Sequence, residues 1–341
     1  MGRAVEDRTV VDETRVKGLH DRAVIIDAVC PLMRYPDHWN EWVRGGTTMA
    51  IPTIASTEDS QSAFGKIGQW LSWLRKYEDT IRFVAMVDDV KRAKGEGKLG
   101  VTFHFQDSLP LDRNVDLVEV YQRLGVRMIQ LCYNQRNFVG DGCSERTDEG
   151  LSDFGIRVVK EMERVGIVVD LSHTGYRTTM DALEIATRPL VFSHSNVRKL
   201  CENRRNIQDD QIKAVAAHKG MVGINGFPAF VKRGPQPSIA DFADHIDYVA
   251  DLVGIDHVGL ALDYYLEMSR ADYDAAIRSG RWRADEYPPP PHTYPKGIED
   301  ASGFLNITRE LVRRGYKDED VLKVLGGNWM RVFGEVWKTA A

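Results

Sequence analysis

The sequence predicts a single-domain α/β protein whose fold is a (β/α)8 TIM-type barrel with extra C-terminal helices. Eight short apolar runs rich in β-branched residues occur along the chain, and nearly all are followed by a stretch with helical spacing of apolar residues. Such strands are typical of parallel sheets buried on both faces. Eight of them close most economically into a barrel.

The predicted strands are AVIIDA, MAIPTI, GVTFHF, RMIQL, IVVDLS, PLVFSHS, MVGING and HVGLALD. Apolar residues recur at helical spacing in the segments between them, as at 117–124 and 154–165. An open, doubly wound sheet is the alternative fold. The sequence contains neither G-x-G-x-x-G after the first strand nor G-x-x-x-x-G-K-[ST], so the nucleotide-binding versions of that fold lose their main support.

The single domain is expected to cover residues 1–341, with the barrel and its C-terminal helices at about 20–337. A helix is predicted at about 303–314, followed by two shorter helices that begin near Asp318 and Asn328. Residues 266–299 form the longest insertion and contain several aromatic residues. Long loops after barrel strands often cover the substrate, so we interpret this segment as a candidate lid.

Composition limits the classes of partner. The chain has 341 residues, 43% hydrophobic and 28% charged, with a formal net charge of −5 and no sustained basic stripe, which argues against nucleic acid. No run approaches the roughly 20 apolar residues that cross a bilayer, and the N-terminal segment is polar. We therefore expect a cytoplasmic protein without a membrane partner. Four scattered cysteines indicate reduced thiols.

Polar residues follow three of the predicted strands. His173 comes after the fifth strand, His194 after the sixth and Asp263 after the eighth. Because the carboxyl ends of barrel strands converge on one mouth, we expect these side chains around one pocket. Neutral imidazoles are good zinc ligands, and an Asp beside them serves as a third ligand or as a general acid/base. Taken singly, a packed histidine or a helix-capping Asp is the alternative role for each residue.

Two arginines lie in the segment ENRRNIQDDQI after the sixth strand. Arg204 and Arg205 are placed where a guanidinium could hold a substrate carboxylate through two hydrogen bonds. Surface salt bridges are the alternative role for such a pair. The chain has no G-x-S-x-G segment, so the residues favour a metal-dependent reaction over a nucleophilic serine.

These residues, together with several longer segments, resemble the renal (membrane) dipeptidase family of metallopeptidases between about Val24 and Trp337. The segments are DGCSERTDEGLSDFGIRVVKEMERVGIVVDLSHT, FSHSNVRKL, NRRNIQDD, HVGLALD and GFLNITRELVRRGYKDEDVLKVLGGNWMRVF. The resemblance implies a modified TIM barrel whose site normally holds two zinc ions bridged by a glutamate. It implies that His173 and His194 bind one zinc ion. By the same resemblance, Arg205 binds the substrate carboxylate and Asp263 is the acid/base.

This chain departs from the family pattern at the other metal position. Val29 and Pro31 stand where the family has its first His and Asp ligands, and Gln106 stands at the bridging glutamate. A neutral amide is a poor bridge between two dications. Tyr133 replaces a substrate-contacting histidine, and His104 is a candidate replacement ligand if its strand is regular. We therefore expect the first metal site to be lost.

The sequence thus predicts a dipeptidase-like hydrolase that cleaves a dipeptide or related small amide carrying a carboxylate. We expect one Zn²⁺ per chain rather than two, held by His173 and His194 with Gln106 as a weaker candidate, and we allow an empty site. Tyr133 and Arg205 are the predicted substrate-binding residues. One alternative is one-metal decarboxylase, lyase or isomerase chemistry, and another is a metal-free ligand-binding barrel. The resemblance also implies a homo-oligomer.

Overall fold

The computed structural model describes residues 11–338. Its centre is a parallel sheet of ten strands, in the spatial order β10-β9-β8-β7-β6-β5-β2-β4-β3, with β1 paired to β2. The strands are β1 Ile26–Cys30, β2 Met49–Ala55, β3 Ile81–Phe83, β4 Leu99–Val101, β5 Phe103–Phe105, β6 Val126–Gln130, β7 Val168–Asp170, β8 Val191–Phe192, β9 Met221–Asn225 and β10 Val258–Ala261. All eight predicted strands are present.

The sheet curls until its first and last barrel strands meet. The Asp263 N–H, just after β10, donates to the Val29 carbonyl of β1 at 3.1 Å. The Leu262 N–H donates to the buried Asp27 carboxylate of β1 at 2.8 Å. Strands β1, β2 and β5 to β10 therefore form a barrel wall, and the predicted (β/α)8 class is confirmed.

Helices cover the outside of this wall. They are α1 Glu13–Arg22, α2 Trp39–Arg44, α3 Ser60–Lys76, α4 Val87–Glu96, α5 Leu117–Arg123, α6 Asp153–Val165, α7 Tyr176–Ile185, α8 Asp209–Ala217, α9 Pro228–Val231, α10 Ile239–Val253, α11 Arg270–Arg278, α12 Phe304–Arg313, α13 Asp318–Leu322 and α14 Asn328–Val336. Short 3-10 turns lie at Pro31–Arg34, Pro36–His38, Leu109–Leu111, Ile255–His257 and Ala301–Gly303, and a π-helical turn lies at Lys323–Gly327.

Helix α6 illustrates why these segments are helical. The Ser152 hydroxyl accepts a hydrogen bond from the Gly155 N–H at 3.0 Å and caps the helix start. Val158 and Met162, one turn apart, are fully buried against the barrel. Gly166 ends the helix with φ +84°, a left-handed conformation that glycine adopts without steric cost.

The C-terminal helices close the end of the barrel where the strands begin. Trp329 and Phe333 of α14 are fully buried in one cluster with Ile26 and Met49, the first residues of β1 and β2. The three helices begin within a residue of the predicted positions. This packing leaves the carboxyl ends of the strands as the accessible mouth.

Two predicted segments differ in detail. GVTFHF is divided into β4, which pairs with β2 and β3, and β5, which pairs with β2 and β6. Strand β3 was not predicted, because three residues with a central arginine carry too little pattern. The insertion at 266–299 contains helix α11.

Within residues 11–338, no helix is long and apolar enough to span a membrane. The first ten residues, which contributed to the expectation of a cytoplasmic protein, lie outside the described part of the chain.

Candidate active site

The two predicted metal-binding histidines meet at the mouth of the barrel. His173 follows β7 and His194 follows β8, and their Nε2 atoms lie 2.9 Å apart. Both side chains are buried. The matching positions of the two residues after neighbouring parallel strands bring the rings to the same height of the mouth.

Buried partners fix the tautomer of each ring. The Ser193 hydroxyl lies 2.5 Å from Asp170 Oδ2 and 2.6 Å from His194 Nδ1. Because Ser193 donates its one proton to the carboxylate, it accepts from the His194 Nδ1–H. The Asn134 Oδ1, 2.7 Å from His173 Nδ1, likewise accepts from that N–H. Both Nε2 atoms are therefore unprotonated and present lone pairs to the same point in space.

The surroundings keep both imidazoles neutral. Burial, and next the positive charge of Arg205, hold the pKa of His173 and of His194 well below its usual range. Although burial alone would raise it, the hydrogen bond from His104 holds the pKa of Asp170 below its ordinary value. Neutral imidazole is the form that binds metal. The Asp170 carboxylate binds Ser193, and Ser193 in turn holds the His194 ring in this neutral form.

The two histidine nitrogens are the candidate donors for a metal ion. A Zn–N bond is about 2.0–2.1 Å, so two nitrogens 2.9 Å apart can both reach one ion. The Gln106 amide N–H donates to His194 Nε2 at 3.3 Å, so the amide nitrogen rather than its ligating oxygen faces this point. Within residues 11–338, no group of three or more His, Cys, Asp or Glu side chains is arranged to hold a metal. Val29 and Pro31 are buried and offer no donor for a second ion.

Asp263 lies at the same mouth, held by neighbouring strand ends. The Asn225 Nδ2, at the end of β9, donates to Asp263 Oδ2 at 3.1 Å and to the His194 carbonyl at 3.4 Å. Burial raises the pKa of Asp263 to about 7, against the opposing charge of Arg205 and the hydrogen bond from Asn225. A carboxyl that titrates near neutrality is suited to accept and return a proton.

Arg205 is a buried cation that forms no ion pair with an acidic side chain of residues 11–338. Its side chain is 2% exposed, its Nη2 donates to the His194 carbonyl at 3.2 Å, and its guanidinium lies 5.1 Å from the centre of the Phe230 ring. The Nε atom has no hydrogen-bond partner among the described residues. Arg204, in contrast, points outward and lies 3.6 Å from Glu286. Arg205 is thus the buried member of the predicted pair, and Arg204 lines the outer part of the same cavity as His173.

Tyr133 lies directly against the histidine pair. Its ring stacks on His173 with centroids 4.1 Å apart, and its hydroxyl accepts from the Trp282 Nε1–H at 3.0 Å. Burial raises the pKa of Tyr133 to about 12, so it remains a neutral phenol. Because Trp282 belongs to the 266–299 insertion, the candidate lid contacts the predicted substrate-binding residue.

Two cavities lie beside these residues. One, of about 130 Å³, is lined by His173 and Arg205 among others. The other, of about 150 Å³, is lined by Gln106 and Tyr133 and extends toward Pro31. Tyr133 lines the second cavity and stacks on His173, which lines the first, so this stack lies between the two spaces.

Sequence reasoning missed the supporting residues Asn134, Asp170, Ser193 and Asn225. Polar residues inside otherwise apolar runs, as in IVVD and VFSH, were the available signal, because such residues are rarely buried without a partner. His104 is not a ligand of the pair, since its Nε2 lies 3.2 Å from Asp170.

Comparisons with known proteins bear on the family and the fold of this chain. A family model described as membrane dipeptidase (peptidase family M19) matches residues 45–270 and 291–341. An uncharacterised dipeptidase of Schizosaccharomyces pombe is 31% identical over 266 residues, which make up 76% of this chain and 58% of that protein. The chain spans about half the length of the curated relatives it matches.

Solved structures show the same fold. An amidohydrolase from Pseudomonas aeruginosa superposes with a TM-score of 0.86 at 33% identity, covering 94% of this chain and 99% of that chain. A metallo peptidase from Rhodobacter sphaeroides, liganded with a phosphinate mimic of the dipeptide L-Ala-D-Ala, superposes with a TM-score of 0.78 at 19% identity. It covers 92% of this chain and 99% of that chain. At that identity, the second likeness shows the fold alone.

Proposed function

This chain belongs to the membrane dipeptidase family of metallopeptidases, and we propose that it is a metal-dependent hydrolase of a dipeptide or a related small amide with a carboxylate. We further propose that it uses one Zn²⁺ ion per chain, bound by His173 and His194. Because this chain spans only about half the length of the curated relatives, dipeptide hydrolysis by this chain is proposed from its own site residues.

The arrangement of the histidine pair carries this proposal. Two imidazole lone pairs face each other at 2.9 Å, with both Nδ1–H groups already bound to acceptors. Without a proton or cation between them, two acceptors at this distance repel. A divalent ion satisfies both.

The remaining residues supply binding and proton transfer. Arg205 would hold the substrate carboxylate, because its buried guanidinium has an unused donor and no acid of its own. Asp263 would accept a proton from the attacking water and return it to the leaving amine, as its pKa of about 7 allows. Tyr133 and Trp282 restrict the access of bulk water. A bound divalent ion would supply Lewis-acid activation of the scissile carbonyl.

A second candidate is one-metal chemistry other than peptide hydrolysis, such as decarboxylation, elimination or isomerisation. The observation that favours it is the apolar pair Val29 and Pro31, which gives no place for a second ion. A reaction that needs only one polarised carbonyl or carboxylate is compatible with this site.

Elemental analysis of protein purified without added metal, followed by a dipeptide panel, tests the proposal. We expect at most one ion per chain, and turnover of several dipeptides at ordinary enzyme rates. Competition by a phosphinate dipeptide mimic would show that hydrolysis takes place at this site. Bound metal without peptidase activity would favour the second candidate, and two ions per chain would contradict the one-metal site.

The cytoplasmic location and the homo-oligomeric state are also proposals. The family supports an oligomer, and the four free cysteines are compatible with a reducing compartment. Size-exclusion chromatography with light scattering tests the oligomeric state, and fractionation of the source cells tests the location.

A further inference from the structure

The cavity beside Gln106 and Tyr133 has a cationic wall. Arg34, Lys66 and Arg281 line it together with a single carboxylate, Glu58. Lys66 and Glu58 form an ion pair with each other. Arg34 and Arg281 have no acidic partner within salt-bridge distance among the described residues. The cavity therefore presents two uncompensated guanidinium groups.

Unpartnered buried atoms also point to a missing polar ligand. The Arg281 Nε and the Thr53 Oγ1 are both buried without a hydrogen-bond partner among the described residues, and both residues line this cavity. Buried polar atoms are nearly always hydrogen-bonded, so two orphans on one wall require an explanation. An anionic group in the cavity would satisfy both of these donors.

Aromatic rings hold the guanidinium groups in place. Arg34 lies 4.9 Å from the centre of the Tyr35 ring and 5.0 Å from that of Tyr265, and Arg281 lies 5.8 Å from that of Trp282. Such contacts orient a guanidinium without using its hydrogen-bond donors. Arg34 also interacts with the Tyr35 and Tyr265 hydroxyls, so Arg281, whose Nε has no partner among the described residues, offers the freer donors to a carboxylate.

The size of the cavity limits the size of the group that it can bind, and its position places that group near the histidines. Its volume of about 150 Å³ is roughly ten times that needed for one water molecule, which is enough for a short side chain that ends in a carboxylate. Gln106 faces His194, and Tyr133 stacks on His173, so the cavity adjoins the proposed reaction centre. Arg205 lines the other cavity with His173.

We propose that this cavity is a specificity subsite for an anionic side chain, so that the substrate is a dipeptide or small amide with two carboxylates. One carboxylate binds Arg205, and the other, on the residue at the amino side of the cleaved bond, binds Arg34 and Arg281. The inference rests on the proposed function for the orientation of the substrate. The preference for an anion follows from the cavity itself.

Two peptides of nearly equal shape, L-Glu-L-Ala and L-Gln-L-Ala, isolate the charge. Their affinities for metal-stripped full-length protein are measured by calorimetry, and kcat/KM is measured for the metal-loaded protein. We expect Glu-Ala to bind about tenfold or more tightly than Gln-Ala, as for a charge-assisted hydrogen bond. Arg281→Gln should remove this preference, Arg34→Gln should reduce it, and Arg281→Lys should retain part of it.

Arg278→Gln is the matched control, since Arg278 is exposed on α11 and does not line the cavity. It should retain the full preference. A preference that disappears in Arg281→Gln supports the subsite even if no dipeptide is hydrolysed. The subsite would be overturned by equal affinities for the two peptides, by no measurable affinity for either, or by a preference that is unchanged in both cavity variants. Turnover of other dipeptides would still leave the proposed function intact.

Discussion

Replacing Arg205 with methionine should separate binding from stability. Arg205 is buried and has no acidic partner within salt-bridge distance among the described residues, so the folded protein carries the cost of a desolvated charge. If this charge serves substrate binding, a neutral side chain of similar length should weaken the binding of carboxylates without weakening the fold. We therefore expect Arg205→Met to bind substrate poorly and to unfold no more easily than the parent protein.

The magnitude follows from opposing contributions. Burying an ion costs several kcal/mol even after relaxation of the surroundings. The bond to the His194 carbonyl returns about 1.5–3 kcal/mol, and the contact with Phe230 returns about 2 kcal/mol. The unpartnered Nε costs a further ~1–3 kcal/mol. Methionine removes all of these contributions, so we expect the free energy of unfolding to stay equal or to rise by about 1–3 kcal/mol.

Equilibrium unfolding in urea, with metal removed from both proteins, measures this difference. A higher midpoint at an unchanged m-value reports added stability rather than an altered denatured state. Arg204→Met is the control, because Arg204 is partly exposed and makes only a long contact with Glu286, and its stability should change by about 0.5 kcal/mol or less. A loss of about 2 kcal/mol or more in Arg205→Met alone would assign Arg205 to the structure and refute this reasoning.

Three further predictions concern the same site. Arg205→Lys keeps the charge but loses the planar fork, so the KM for a carboxylate substrate should rise by about tenfold; unchanged kinetics would remove its binding role. Ser193→Ala leaves the His194 Nδ1–H without its acceptor and should weaken zinc affinity by about 10–100-fold in a chelator competition. Ser195→Ala, whose hydroxyl contacts Ser172 rather than an imidazole, should not weaken it. Because burial raises the folded pKa of Asp263 from 3.8 to about 7, the contribution of this carboxyl to stability is fully present below about pH 4 and is lost as pH rises through 7. In metal-free protein, the unfolding free energies of Asp263→Asn and the parent should therefore be most similar near pH 4, and that of the variant should be higher near pH 8. Between these pH values, the difference should grow by up to about 1.4 kcal/mol for each pH unit. Parallel pH profiles of the two proteins would contradict the raised pKa.

The barrel was predictable because its signal repeats. Eight apolar runs with intervening helical spacing specify the eight strands of the barrel wall and their parallel pairing, and helix starts at Asp318 and Asn328 follow from local sequence. The division of GVTFHF was not predictable. Its first half pairs with β3 as well as β2, and its second half with β6, and the pattern along one strand does not identify its neighbours.

The site was predictable only where a residue follows a strand. His173, His194 and Asp263 stand at strand ends, so the convergence of a barrel mouth indicates their proximity. The role of Asn134 depends on a contact across 39 positions of sequence with His173. The cationic cavity depends on Arg34 and Arg281, which are far apart in sequence and meet only in the folded chain. No local sequence pattern predicts the contact of Asn134 with His173 or the proximity of Arg34 and Arg281.

Backbone strain indicates that the fold, rather than a metal ion, positions the site. Asn134, His173 and Asp263 have φ of +60°, +63° and +54°, in the left-handed region that costs a non-glycine residue about 1–2 kcal/mol. Each is held by hydrogen bonds, the Asn134 side chain by the Arg281 carbonyl and the Asp263 backbone by Val29. Such strain persists only where the surrounding structure fixes the conformation. Since the histidine lone pairs already face each other, an incoming ion would meet a preorganised pair and would not need to order the strand ends itself.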